Sequence, residues 1–161
     1  RPQCEQGVAW VKDQHPEVQY LRDVSPQMLL EYVMPKDAEV YTKCSYVVAE
    51  IDRVRRAAAA LKDGRLEALG KLMFETHQGL SKDYEVSCKE LDFLVEQVKG
   101  LNGVLGARMM GGGFGGCTIN IVKDEAIADL TNKLTKLYHD RFGLTLSTYV
   151  VETANGAQLL S

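Results

Sequence analysis

The sequence predicts an α+β domain in which a helical hairpin precedes a ferredoxin-like split βαβ antiparallel sheet. Three observations carry this reading. Up to about residue 98 the apolar residues recur at steps of three or four, the period of a helix with one buried face. Beyond residue 103 two short segments alternate apolar and polar or small residues instead, the period of a strand. A glycine cluster joins these two segments, and a link that short permits only an antiparallel return. The helices are expected over about residues 4–80 and the ferredoxin-like part over about residues 84–155, within one domain of 1–161.

Residues 4–13 read as a short helix that His15-Pro16 ends. Ser25-Pro26 supplies an N-cap and a first-turn proline for a second helix reaching Met34, and Pro35 stops it. The longest helical signal runs from about Asp37 to Lys62. Val40, Cys44, Val47, Val48, Ile51, Val54, Ala58 and Leu61 form its apolar face, Lys43, Glu50, Arg53 and Arg56 its solvated one, and Gly64 its C-terminal cap. A partner helix follows with Leu66, Leu69, Leu72, Met73 and Leu80 along one side; the short link makes the two an antiparallel pair. Residues 84–87 read as a brief extended segment. Another helix turns Leu91, Leu94, Val95 and Val98 inward and gives way to a turn at Asn102-Gly103. Leu105, Ala107 and Met109 then mark one strand, and Cys117, Ile119 and Ile121 the next. Ile127, Leu130, Leu134, Leu137 and Tyr138 mark a last helix, and residues 146–151 a closing strand.

With 45% hydrophobic and 25% charged residues, the 161-residue chain is neither disordered nor collagen-like. A net charge of -3 makes a general nucleic-acid binder a poor fit. The four cysteines, Cys4, Cys44, Cys88 and Cys117, form no Cys-x-x-Cys pair and have no nearby histidine at metal-ligand spacing. They read as free core thiols of a reducing compartment, with no metal site. No window has the apolar length of a membrane span, and no secretory leader is expected, so the expected location is cytoplasmic. The chain begins at Arg1, which suggests a piece of a longer protein.

The chemistry concentrates in residues 111–116, Gly-Gly-Gly-Phe-Gly-Gly. Glycine is entropically costly, so five in six residues need a reason. Bare backbone admits positive φ and close approach, and successive N–H groups can form a concavity for an anion such as phosphate. The segment formally matches G-x-G-x-x-G, yet it leads into a strand rather than a helix, which excludes the dinucleotide fingerprint. No Gly-Lys-Ser/Thr follows, which excludes a Walker loop. A hairpin whose glycines merely let elements pack closely remains open.

Arg108-Met109-Met110-Gly111-Gly112-Gly113-Phe114-Gly115-Gly116-Cys117 resembles the third motif of the GHMP kinases, and within them of the galactokinases. Residues 47–54 are similar to that family's Val-Val-x-Glu-x-x-Arg-Val helix, residues 69–77 to its Gly-x-Leu-Met-x-x-Ser-His stretch, and residues 83–92 to its Asp-Tyr-Glu-Val-Ser-Cys-Pro-Glu-Leu-Asp signature. Leu21-Arg22-Asp23-Val24 matches as well. The resemblance covers nearly the whole chain and implies the C-terminal domain of such a kinase. It departs at Met110, where the family usually has Thr, at Gly79 for Ser and at Lys89 for Pro.

What the resemblance implies is transfer of the γ-phosphoryl group of MgATP to the 1-hydroxyl of galactose, in a full-length enzyme whose sugar-binding and catalytic residues lie upstream. This chain would then hold no catalytic residue, bind neither ATP nor Mg2+ tightly alone, and pair with its own N-terminal domain, with no nucleic-acid or membrane partner. Gly111, Gly112, Gly113, Phe114, Gly115 and Gly116 would shape the phosphate end of the cleft, with Arg108 either a phosphate-facing cation or a surface strand residue. Tyr84, Ser87 and Cys88 would line the cleft or simply pack an edge. The other readings are a catalytically silent sugar sensor of the same fold, a kinase for a related sugar such as N-acetylgalactosamine, and a free-standing binding module. His77 reads as a hydrogen-bonded helix histidine rather than a general base, Trp10 as a core or interface anchor, and the acid pairs Glu90/Asp92 and Asp124/Glu125 as complements of helix dipoles.

Overall fold

The computed structural model describes residues 1–154 and 156. Its elements are α1 (Pro2–Lys12), α2 (Pro26–Tyr32), α3 (Ala38–Lys62), α4 (Leu66–Lys82), α5 (Lys89–Val98), β1 (Val104–Met110), β2 (Cys117–Val122) and α6 (Ile127–Phe142). Capping side chains set the starts of α2 and α3, the first of them the expected Ser25. Ser25 Oγ accepts the Met28 N–H at 3.2 Å above α2. Asp37 Oδ1 accepts those of Glu39 and Val40 at 2.8 and 3.0 Å above α3. Gly64 lies at φ +68 just beyond α3, in the left-handed region that closes a helix.

The α3–α4 pair is antiparallel, and its register is written in polar contacts. Arg53 reaches Glu75, Glu50 accepts from Thr76 at 2.9 Å, Tyr46 packs against Gly79, and Lys43 donates to the Asp83 carbonyl at 2.9 Å. Arg53 is paired with Glu50 too. Lys43, Glu50 and Arg53, expected to be solvated, therefore face α4, while Arg56 stays exposed. Lys43 is only 6% exposed and holds Glu85 as well as Asp83. Conversely Val54 and Leu61, expected inward, are exposed.

Two apolar clusters form the core. One gathers Val11, Val18, Leu21, Val24, Leu29, Val33, Val40 and Cys44 from α1 to α3, with Trp10 packed at its edge. The other gathers Leu94, Val95, Val98, Ala107 and Leu134 from α5, β1 and α6. Between them α4 crosses β1 at two glycines. A Cβ on Gly70 would overlap the Leu105 carbonyl and lie 2.9 Å from the Gly106 N, and one on Gly106 would overlap the Gly70 backbone. β1 and β2 pair antiparallel, with Met110 opposite Cys117 and Arg108 opposite Ile119. The register slips between Val104 and Gly106, which places a bulge at Leu105, the residue whose carbonyl faces Gly70.

The α+β class and the hairpin across the glycine cluster stand as expected, but two expected strands do not form among the described residues. Residues 84–87 make single bonds in two directions instead of a ladder: the Val86 N–H goes to Leu80 O and the Val86 carbonyl accepts from Phe114. Residues 144–151 are irregular; Leu146 packs on the second cluster while Tyr149, Val150 and Val151 stay exposed, so the apolar alternation there finds no sheet edge. Residue 155 lies outside the described residues.

The crossing yields a sharp test. Helix propensity alone says that Gly70→Ala stabilises by up to about 1 kcal/mol. The added methyl has nowhere to go against backbone, and overpacking of this kind costs about 1–3 kcal/mol or more. Gly70→Ala and Gly106→Ala are expected to lower the urea midpoint by the equivalent of about 3 kcal/mol, or to prevent folding. Gly112→Ala, where a Cβ meets nothing within 4 Å, is expected to change it by less than about 0.5 kcal/mol.

Candidate functional site: the glycine loop and its anchor

Residues 111–116 leave β1 and return into β2 through a run of left-handed conformations: Gly111 at φ +102, Gly113 at +92, Phe114 at +59, Gly115 at +139 and Gly116 at +107. The loop does not float. The Phe114 N–H donates to Val86 O at 2.7 Å, and a Cβ on Gly113 would overlap that same oxygen and lie 2.9 Å from Val86 Cβ. Gly113 is therefore needed for packing. Gly111, Gly112 and Gly115 are different: a Cβ at each would meet only open space. Apart from that of Phe114, the N–H groups of the loop form no backbone hydrogen bond among the described residues. The result is a pinned, open-faced arc of free donors with a 76% exposed phenyl ring at its crest. Successive free backbone N–H groups are the elements from which an anion-binding concavity is built.

The segment that pins the loop is itself pinned. Glu85 sits at φ +58 and its carboxylate pairs with buried Lys43, whose ammonium also holds Asp83 O. Tyr84 stacks on Tyr46 with ring centroids 5.4 Å apart. Cys4, Lys43, Tyr84, Glu85, Val86 and Phe114 help line an open pocket of about 280 Å³ beside the loop. The structure thus brings Tyr84 together with the glycine loop. Ser87 and Cys88 do not line that pocket: Ser87 Oγ is buried without a hydrogen-bond partner among the described residues, and Cys88 is the half-buried residue capping α5. Arg108 is half-buried and returns one Nη1 donor to Met109 O at 3.0 Å; its charge lies close enough to Tyr46 to favour the phenolate there, although burial, the larger effect, pushes that phenol up. Cys117, expected in the core, is exposed at the loop's exit.

His77 fills the expected structural role. It is 6% exposed on α4, and its Nδ1 accepts the Met109 N–H at 3.1 Å. That acceptor role places the ring proton on Nε2, 3.2 Å from Asp92 Oδ1 on α5, while Asp92 Oδ2 accepts from Ser81 at 2.8 Å. Asp92 thereby does more than complement a helix dipole: it joins α5 to α4. The sequence reading gives Val86 and the Gly70/Gly106 pair no role, places Lys43 on a solvated face and makes Asp92 a helix-dipole complement. The only signal for them was their place inside or beside the motif segments.

Residues 57–140 match the family model described as GHMP kinases C terminal. The chain belongs to that family, in agreement with the resemblance carried by its loop. Its named relatives narrow the class. A galactokinase of Thermotoga neapolitana is 44% identical over 116 residues, 72% of this chain and 33% of that protein. A galactokinase of Roseiflexus sp. is 35% identical over 156 residues, 97% of this chain and 40% of that protein. The crystal structure of Lactococcus lactis galactokinase complexed with galactose superposes with a TM-score of 0.81 at 28% identity, over 89% of this chain and 37% of that one. The chain therefore spans between a third and two fifths of the length of these relatives.

Burial lowers the pKa of His77, and the nearby Asp92 carboxylate opposes that only in part. The unfolded chain therefore takes up this proton before the folded one does. Stability owed to neutral His77 is fully present above the ordinary value of 6.5 and is lost as pH falls below it. Urea titrations at about pH 7.5 and about pH 5.5 are expected to show a larger loss in the wild type than in His77→Gln, whose amide oxygen can still accept from Met109. Equal losses in both would remove His77 from the pH dependence.

Proposed function

We propose that this chain is the phosphate-side domain of a galactokinase, and that within the longer protein it helps transfer the γ-phosphoryl group of ATP to the 1-hydroxyl of galactose. The observation that carries this reading is the arc of free backbone donors in residues 111–116, held in place through Val86. Phosphoryl transfer asks little covalent chemistry of a protein; it asks for positioning and for donors aimed at the oxygens where charge builds. The N–H groups of Gly111, Gly112, Gly115 and Gly116 would meet phosphate oxygens, with no side chain between donor and anion. Arg108 would add positive charge from the adjoining strand, and Tyr84 and Phe114 would form the wall on the pocket side. ATP's phosphates fit this surface. A dedicated metal site does not: among the described residues no three His, Cys, Asp or Glu side chains gather to hold an ion. No step is therefore assigned to Mg2+ through this chain.

The packing decides which glycine probes the chemistry. A side chain at Gly113 would break the Val86 anchor, so Gly113→Asp would fail through structure as much as through charge. Gly112 is the clean position. In the longer protein, Gly112→Asp is expected to lower kcat/KM for ATP by about 10²–10³-fold, the usual effect of damaging a donor site for developing charge, while Gly112→Ala stays within about threefold of wild type. Near-normal rates in Gly112→Asp would count against a phosphate-side role. The 161-residue chain alone is expected to give no ADP release with galactose and ATP. Parallel assays of the longer protein with galactose and N-acetylgalactosamine distinguish the two sugars.

A further inference from the structure

α1 and α3 approach closely at Gly7, where a Cβ would overlap Cys44 Sγ. Cys44 is 0% exposed, and its Sγ lies 3.9 Å from Gln3 O. Cys4, the next residue along α1, is in side-chain contact with Cys44 and packs on the same cluster. Unlike Cys44, it opens onto the pocket beside the glycine loop, with its Sγ 3.8 Å from the Tyr84 hydroxyl. One thiol thus borders the open pocket while the other is fully buried.

We propose that Cys4 and Cys44 form an oxidant-responsive thiol pair, in which Cys4 reacts with a hydroperoxide and Cys44 then closes an intramolecular disulfide between α1 and α3. The Cys4 thiolate attacks one peroxide oxygen, the O–O bond breaks, and the departing oxygen takes up a proton as water or alcohol. Cys4 becomes a sulfenic acid, oxidised by two electrons. Cys44 sulfur then attacks Cys4 sulfur: the S–S bond forms, the S–O bond breaks, and the Cys44 proton leaves with the hydroxyl as water. Hydrogen bonding from Cys44, helped by Tyr84 and opposed by burial, lowers the Cys4 thiol to about 6. The Cys44 thiol is raised by that hydrogen bond to Cys4, by burial and by the Cys4 charge. Conversion of Cys4 to a neutral sulfenic acid removes the charge, leaving Cys44 freer to ionise for the second step. Cys88 and Cys117 have no such partner among the described residues.

The test uses the 161-residue wild-type chain with hydrogen peroxide at about pH 6. There a thiol titrating near 6 is about half ionised, whereas an ordinary thiol near 8.5 is about 0.3% ionised. Weaker intrinsic nucleophilicity takes back about tenfold, leaving Cys4 with an advantage of about tenfold over an ordinary exposed thiol. Differential alkylation is expected to show Cys4 lost about tenfold faster than Cys117. Tryptic mapping is expected to show peptides 1–12 and 44–53 linked, lighter by about 2 Da than their sum. In Cys44→Ala, a sulfenic-acid trap such as dimedone should accumulate on Cys4. Loss of Cys4 no faster than Cys117, or oxidised Cys4 that never links to Cys44 in the wild type, would overturn the proposal.

Discussion

The arrangement depends on one close contact, the crossing of α4 over β1 at Gly70 and Gly106. Backbone touches backbone there, so neither residue can carry even a methyl group. Once that distance is set, much follows. His77, two turns further along α4, arrives at the Met109 N–H, and Asp92 on α5 arrives at the other side of the same ring. Three elements are thereby fastened around one imidazole. β1 is held by its neighbours up to Met109, one residue before its exposed end at Met110. A wider crossing would leave the Met109 N–H unsatisfied in a dry interior, a penalty of about 1–3 kcal/mol. The small residues and the histidine thus enforce the same geometry from two positions.

Among the described residues, the two non-glycine residues with left-handed backbone, Glu85 and Phe114, flank a single junction. Glu85 precedes Val86, and Phe114 donates to Val86 O. Each such conformation costs about 1–2 kcal/mol. Strain of that size persists only where surrounding contacts over-determine it. Here the contacts are specific. Lys43, buried in the α3–α4 interface, neutralises the Glu85 carboxylate and holds the Asp83 carbonyl, and Tyr84 is clamped by Tyr46. The helical hairpin is therefore the support of the loop as well as its neighbour. A charge that periodicity alone would place in solvent stands between the helices, where it fixes a turn 40 residues away in sequence.

That charge shows where sequence reasoning reaches and where it stops. Helix identities and the caps at Ser25 and Gly64 were legible because local chemistry decides them, each acting within a few residues of itself. The β hairpin was legible because its linker is too short for any other return. The glycine loop was legible as a site because five glycines have a cost that calls for a reason. Lys43, Val54 and Leu61 were misplaced because a helical wheel shows one apolar stripe, whereas α3 meets α1 at one end and α4 along its flank. Residues 146–151 carry a strand pattern, but a strand exists only with an edge to pair with, and no pattern states whether that edge is free. The pinning of Gly113 on Val86 was equally invisible, since it joins residues 27 positions apart through a backbone carbonyl that has no signature in sequence.

The loop's composition then takes on a definite physical meaning. Each glycine gives up about 0.5–1 kcal/mol more backbone entropy on ordering than alanine would, so five together cost about 2.5–5 kcal/mol, a large share of the 5–15 kcal/mol that holds an ordinary domain together. Close packing accounts for one of them, Gly113. Geometry accounts for Gly111, Gly115 and Gly116, whose φ of +102, +139 and +107 lie beyond the left-handed region that asparagine or aspartate tolerates. Gly112 has neither a positive φ nor a neighbour to avoid. Gly111, Gly112 and Gly115 share an open face, where a Cβ would meet nothing within 4 Å. Under the proposed phosphate-side role, the entropy loss would serve to present bare N–H groups, which the Val86 anchor would hold in place before an anion arrives.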